Sequence, residues 1–201
     1  MTLSALGIFS AAGAGGGVSL SDYELIATTI LTSSSSLVTL SGLGTYSSTY
    51  KHLQVRYVAK GDRATFSQDS MRIRLNGIST NTTYDMHQLQ GDGSSVSSTS
   101  NTIDNVFSSN ISRLTGAGSE AGAFSVGVID ILDAYSTTKN KTVRNLSGQQ
   151  SQSAGGFGGS FVNLNSLLFN SLDSITSVGF LPNEGTNLVS GSRFSIYGIK
   201  G

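Results

Sequence analysis

The chain has 201 residues, of which 37% are hydrophobic and 12% charged, with twelve Lys and Arg balancing twelve Asp and Glu. That length suits one domain with a sizeable core, while zero net charge without any Lys/Arg cluster excludes the basic footprint that nucleic-acid binding requires. No apolar run reaches the roughly 20 residues needed to cross a bilayer, and the absence of cysteine removes disulfides and thiolate metal sites.

Residues 1–21 form the first predicted element, an extended N-terminal arm. Leu3, Leu6, Ile8 and Phe9 are its apolar residues, and a Gly/Ala-rich hinge at 10–17 joins it to the body. It lacks the basic start of a secretory signal. Ordering a flexible hinge costs entropy, and free apolar side chains prefer a dry surface. The arm is therefore read as a partner-anchoring segment.

The body, residues 22–201, reads as a series of short strands. Residues 23–31 and 37–40 flank a Ser-rich turn at 33–36. Residues 51–60 alternate, with Leu53, Val55 and Tyr57 on one side and His52, Gln54 and Arg56 on the other. Residues 71–76 repeat this, setting Met71, Ile73 and Leu75 against Arg72, Arg74 and Asn76. Period-two alternation marks a strand with one buried face. Residues 84–90 form the next strand, followed by a turn at Gly91-Asp92-Gly93 and a polar loop to residue 100. Residues 102–107 and 111–114 are shorter strands. Residues 124–132 are apolar on both parities, as expected of a strand at the centre of a sheet or beneath a partner. Strands at 141–146, 161–169, 175–180 and 193–199 complete the set, with a flexible loop at 155–159. No segment has the pattern of a capped amphipathic helix, and no repeat recurs at fixed period. The predicted fold is all-β, an antiparallel β-sandwich of jelly-roll type with an extended N-terminal arm.

Few residues point to chemistry. His52 and His87 both fall within predicted strands, and no Gly-x-Ser-x-Gly nucleophile elbow accompanies them. Asp130 and Asp133 are the nearest carboxylate pair, the arrangement a glycosidase would need. A carboxylate inside so apolar a strand requires a partner, and Arg63, Arg72, Arg74 and Lys141 are the candidates for a structural ion pair. The glycine-rich tracts lack the Lys of a phosphate-binding loop, and no oxygen cluster has calcium-site spacing. No cofactor or metal is expected. The Asn-x-Ser/Thr matches at Asn81, Asn110, Asn140 and Asn145 are what chance gives in so Ser/Thr-rich a chain. Tyr46, Tyr50, Tyr57, Tyr84, Tyr135 and Tyr197 suit either a sugar platform or a sandwich interface. Tyr84, Asp85, His87 and Gln90 form the candidate ligand or interface set.

Several ordered motifs carry a resemblance. They are Tyr23-Glu24-Leu25-Ile26, Tyr50-Lys51-His52-Leu53-Gln54-Val55-Arg56, Arg72-Ile73-Arg74-Leu75-Asn76 and Leu89-Gln90-Gly91-Asp92-Gly93. Ile129-Asp130-Ile131-Leu132-Asp133, Asn145-Leu146-Ser147-Gly148-Gln149 and the ending Phe194-Ser195-Ile196-Tyr197-Gly198-Ile199-Lys200-Gly201 follow. Together they resemble virion structural proteins of tailed bacteriophages, particularly marine and cyanobacterial ones, over residues 23–201. The resemblance implies a non-enzymatic β-sandwich on the virion exterior, assembled in the host cytoplasm, with other capsid or tail proteins as partners.

Two functions from different classes follow as expectations. One is a capsid-surface decoration or cement protein gripped through the arm, whose four apolar side chains together supply ~5 kcal/mol before ordering costs. Copies assembled as a homo-oligomer, a trimer by analogy with phage exteriors, would add avidity. The other is a tail- or head-fibre receptor-binding module that recognises host surface glycans through loops at 91–101 and 148–159. No nucleic acid or membrane partner is expected.

Overall fold

The computed structural model describes residues 22–101, 109–152 and 159–201. The N-terminal arm and hinge (1–21), with Leu3, Leu6, Ile8 and Phe9, lie outside the described residues, as do the expected strand at 102–107 and most of the loop at 155–159.

Twelve strands are described: β1 (Tyr23–Ile30), β2 (Val38–Leu40), β3 (His52–Ala59), β4 (Gln68–Leu75), β5 (Tyr84–Gly91), β6 (Val96–Asn101), β7 (Asn110–Thr115), β8 (Ser125–Ile131), β9 (Lys141–Gln149), β10 (Phe161–Phe169), β11 (Val178–Pro182) and β12 (Arg193–Ile199). Most fall where alternation placed them. One correction concerns the polar loop expected after Gly93, because Val96–Asn101 is a strand paired with β5. Its Ser/Thr-rich sequence carries no apolar alternation, and backbone pairing through the Asp92–Ser95 turn sets it. The Asp92 carboxylate accepts from the Ser94 and Ser95 amides at 2.8 and 2.6 Å, while Gly93 takes φ 87°. Such a left-handed turn position favours glycine.

Four antiparallel pairings define the topology: β1 with β12, β2 with β11, β3 with β8, and β4 with β7. The chain is thus a long antiparallel ribbon, rolled so that its strands divide between two sheets ordered β1-β12-β3-β8 and β2-β11-β4-β7. That is a jelly-roll β-sandwich. Two insertions enlarge it. The β5–β6 hairpin and the β9–β10 pair extend the first sheet to β1-β12-β3-β8-β9-β10-β5-β6, while the second keeps four strands. As its two-sided apolar sequence implied, β8 is central, between β3 and β9.

The core fills the space between the sheets. Leu53 and Val55 of β3, Ile129 and Ile131 of β8 and Ile196 of β12 meet Met71, Ile73 and Leu75 of β4 and Val178 of β11, all fully buried. An aromatic spine crosses the gap. Phe194 stacks on Phe180 of the opposite sheet at 4.8 Å between ring centroids, and its other neighbour is Tyr57 at 6.0 Å. Gly198 lets β12 pass beneath Tyr50, whose ring lies 2.2 Å from where a β-carbon would sit. Truncating Phe194 to Ala should cost about 3–5 kcal/mol and lower the thermal midpoint by roughly 10 °C for a chain this size. Calorimetry on the full chain checks this.

Candidate functional site

On the inserted strands polarity is reversed. Asn145-Leu146-Ser147 of β9, Val162-Asn163-Leu164-Asn165 of β10 and Gln88-Leu89-Gln90 of β5 each alternate an amide or hydroxyl with an aliphatic residue. The polar members turn inward: Asn145, Asn163, Asn165, Ser147 and Gln149 are buried. The aliphatic members turn out, with Leu146 59%, Val162 63%, Leu164 45% and Leu89 48% exposed.

Register gathers these residues into rows. Outside, Val128, Leu146, Leu164 and Leu89 lie side by side across β8, β9, β10 and β5. The next row runs Val58, Val126, Gly148, Val162, Gly91 and Val96. Valines and glycines thus alternate from β8 to β6, and beside them a cleft of about 450 Å³ is walled by Phe124, Val126, Phe161 and Val162. Among the described residues a β-carbon at Gly148 would meet nothing within 4 Å. A polar row of Gln54, Asp130, Arg144, Ser166 and His87 borders the stripe.

Inside, Asn145, Asn165, Gln88 and Thr99 make one row, and Ser147, Asn163, Gln90 and Ser97 the next. Asn145 Nδ2 donates to the Ile111 carbonyl at 2.7 Å, and Gln88 Nε2 donates to Asn163 Oδ1 at 2.6 Å. A cleft of about 250 Å³ opens here, lined by Met86, Gln88, Asn110, Arg113, Asn165 and Glu184 among others. The Arg113 guanidinium donates to Gln90 Oε1 at 3.3 Å and to Ser70 Oγ at 3.2 Å. Burial lowers its pKa from the ordinary value, against the nearby Glu184 charge, which raises it. Glu184 is itself paired with Arg63. Burial raises the Asp69 pKa although the Gly185, Ser70 and Glu184 amides all donate to that carboxylate.

The expected ligand set does not assemble. Tyr84 is a core residue, its hydroxyl donating to the Ile78 carbonyl at 3.0 Å and accepting from the Leu75 amide at 2.9 Å. Asp85 and His87 face outward on β5, whereas Gln90 faces inward against Arg113. The tyrosines do not form a platform either. Tyr50, Tyr57 and Tyr84 are buried, and burial pushes the Tyr57 hydroxyl up to about 12. Tyr197 stacks on Tyr23 near the β1 edge, under Arg56.

Asp130 is ion-paired, but not with the partners expected. Arg144 Nη2 donates to it at 2.7 Å and Gln54 Nε2 at 2.8 Å. Arg144 sits directly across the β8–β9 ladder from Asp130, whereas Lys141 donates to the Ser136 carbonyl, and Arg72 to Ser109 and Asn81. Asp133 takes φ 47° and accepts from Lys139 Nζ at 2.7 Å, which holds its carboxyl below the usual range. Its amide donates to His52 Nδ1 at 2.8 Å. Both aspartates are thus committed to structural pairs. Among the described residues no three His, Asp or Glu side chains gather to hold a metal.

The glycines supply a clean contrast. Gly148→Val points a side chain into open space and should leave the unfolding midpoint within about 1 kcal/mol of the parent. Gly127→Val drives a β-carbon to 2.5 Å from the Tyr57 hydroxyl and should destabilise by several times that, at least 2 kcal/mol. Parallel urea titrations separate them. No protein-family model matches this chain, and no curated protein does.

Proposed function

We propose that the chain is a non-enzymatic structural protein of a tailed-phage particle, a decoration or cement component of the capsid exterior. In this reading it associates with further copies of itself through the outer face of β8–β9–β10–β5–β6, and Leu3, Leu6, Ile8 and Phe9 of the arm fasten it to the shell. The single observation that carries the reading is the exposed stripe of Val126, Leu146, Val162, Leu164 and Leu89. A contiguous apolar patch on a soluble domain marks an interaction surface.

A second copy is the occupant that fits. Five strands about 4.8 Å apart, six to nine residues long with each residue rising about 3.3 Å, give a face of roughly 600 Å². That approaches the about 800 Å² each partner contributes to a stable interface. The bordering row is internally neutralised by Asp130 and Arg144, so a symmetric approach meets no net repulsion. Trimers are the expected assembly, and avidity makes a modest arm contact effective.

Replacing Leu146 and Leu164 together with Lys should turn the oligomer into monomer by light scattering while the unfolding midpoint holds. A parent chain that is monomeric at 100 μM concentration (about the scale at which a weak interface would show) overturns self-association. Deleting residues 2–17 should abolish attachment to particles without changing the body's circular dichroism; attachment that survives the deletion overturns the anchor.

A further inference from the structure

Two buried side-chain oxygens without partners among the described residues, Asn110 Oδ1 and Asn165 Oδ1, belong to residues that line the inner cleft. Buried amide groups in folded proteins nearly always find partners, so each orphan calls for an explanation. Here Asn110 Oδ1, Asn145 Oδ1, Asn165 Oδ1, Asn163 Nδ2 and Gln149 Oε1 are all buried without a hydrogen-bond partner among the described residues. They lie on the inner faces of β7, β9 and β10, where β7 packs on the inserted strands. Asn165 is only 1% exposed and Asn110 8%, and both line the cleft. Apolar side chains in these positions would have extended the core at no such cost, yet the rows are built of amides.

We infer that this cleft is a binding site for one neutral sugar ring, held by Asn110, Asn165, Gln88 and Arg113. The chemistry selects that class. The orphan oxygens of Asn110 and Asn165 are acceptors and need hydroxyl donors. Arg113, whose bonds to Gln90 and Ser70 run from 3.2 to 3.4 Å, has donor capacity for a hydroxyl or ring oxygen. A group that donates and accepts around one small ring is a polyol. Met86 offers it an apolar C–H contact. Charge argues for neutrality, since the field at Arg113 contains Glu184 and Asp69 against Arg63. The size agrees, because about 250 Å³ falls below the roughly 300–1,000 Å³ of drug-sized pockets and suits a single ring. This site goes beyond the structural role and is separable from it. The cleft lies on the opposite face of β10 and β5 from the apolar stripe, so a copy docked outside leaves it accessible.

The test uses the full-length chain and three probes, the methyl glycosides of glucose, galactose and mannose, titrated to 50 mM (about the range single-ring affinities require) while amide resonances are followed. At least one glycoside should bind saturably and shift the side-chain amides of Asn110, Asn165 and Gln88. Asn165→Leu, which removes an orphan acceptor, and Thr99→Trp, which obstructs the cleft from its exposed edge strand, should each weaken binding at least tenfold. Thr99→Trp leaves the core untouched, so it remains informative should Asn165→Leu fail to fold. Glucuronate should bind more weakly than the neutral glycosides. The inference is overturned by no saturable shift with any glycoside, by binding that survives both substitutions, or by a preference for glucuronate. Particle attachment and oligomeric state should be unchanged in Thr99→Trp, which keeps this result independent of the anchoring proposal.

Discussion

A four-stranded sheet cannot cover an eight-stranded one, and most of this molecule's character follows from that mismatch. Where β2-β11-β4-β7 lies against the larger sheet, the gap is filled by aliphatic side chains and the Tyr57–Phe194–Phe180 spine. Where β9, β10, β5 and β6 extend further, β7 is the neighbour that packs on β9 and β10. The inner face there changes from Val143, Leu167 and Phe169 at one end to Asn145, Asn163 and Asn165 at the other. The amide rows there are buried and bond to the segments that cover them, Asn145 Nδ2 donating to the Ile111 carbonyl and Gln149 Nε2 to the Ser67 carbonyl.

On the outer side the inserted strands expose Leu146, Val162, Leu164 and Leu89. Leu146, Leu164 and Leu89 gain only cross-strand contact within the chain, and the proposed self-association is what would cover them. The ion pair of Asp130 with Arg144 belongs to the polar row that borders that surface.

Legibility in the sequence varied with how local the determinant was. Alternation in β3 and β4 disclosed their buried faces because both lie over the complete core, and the two-sided apolarity of β8 disclosed its central place. β6 left no such trace, since its Ser and Thr residues pair by backbone and are exposed on both sides. The candidate set divides between two faces because Tyr84, Asp85, His87 and Gln90 are neighbours on one strand, and a strand sends neighbours to opposite faces. The residues that line the cleft come from β4, β5, β6, β7, β10 and the segment after β11, and carry no shared motif.

By itself the sequence determined that the chain is all-β, where most strands run, and that β3 and β4 alternate with period two. It could not determine which parity faces inward on the inserted strands. Over part of β5, β9 and β10 the usual assignment is inverted, with leucine outside and asparagine or glutamine inside. Only the tertiary structure decided this, because inside and outside are defined by what covers a sheet, and the covering strands lie elsewhere in the chain.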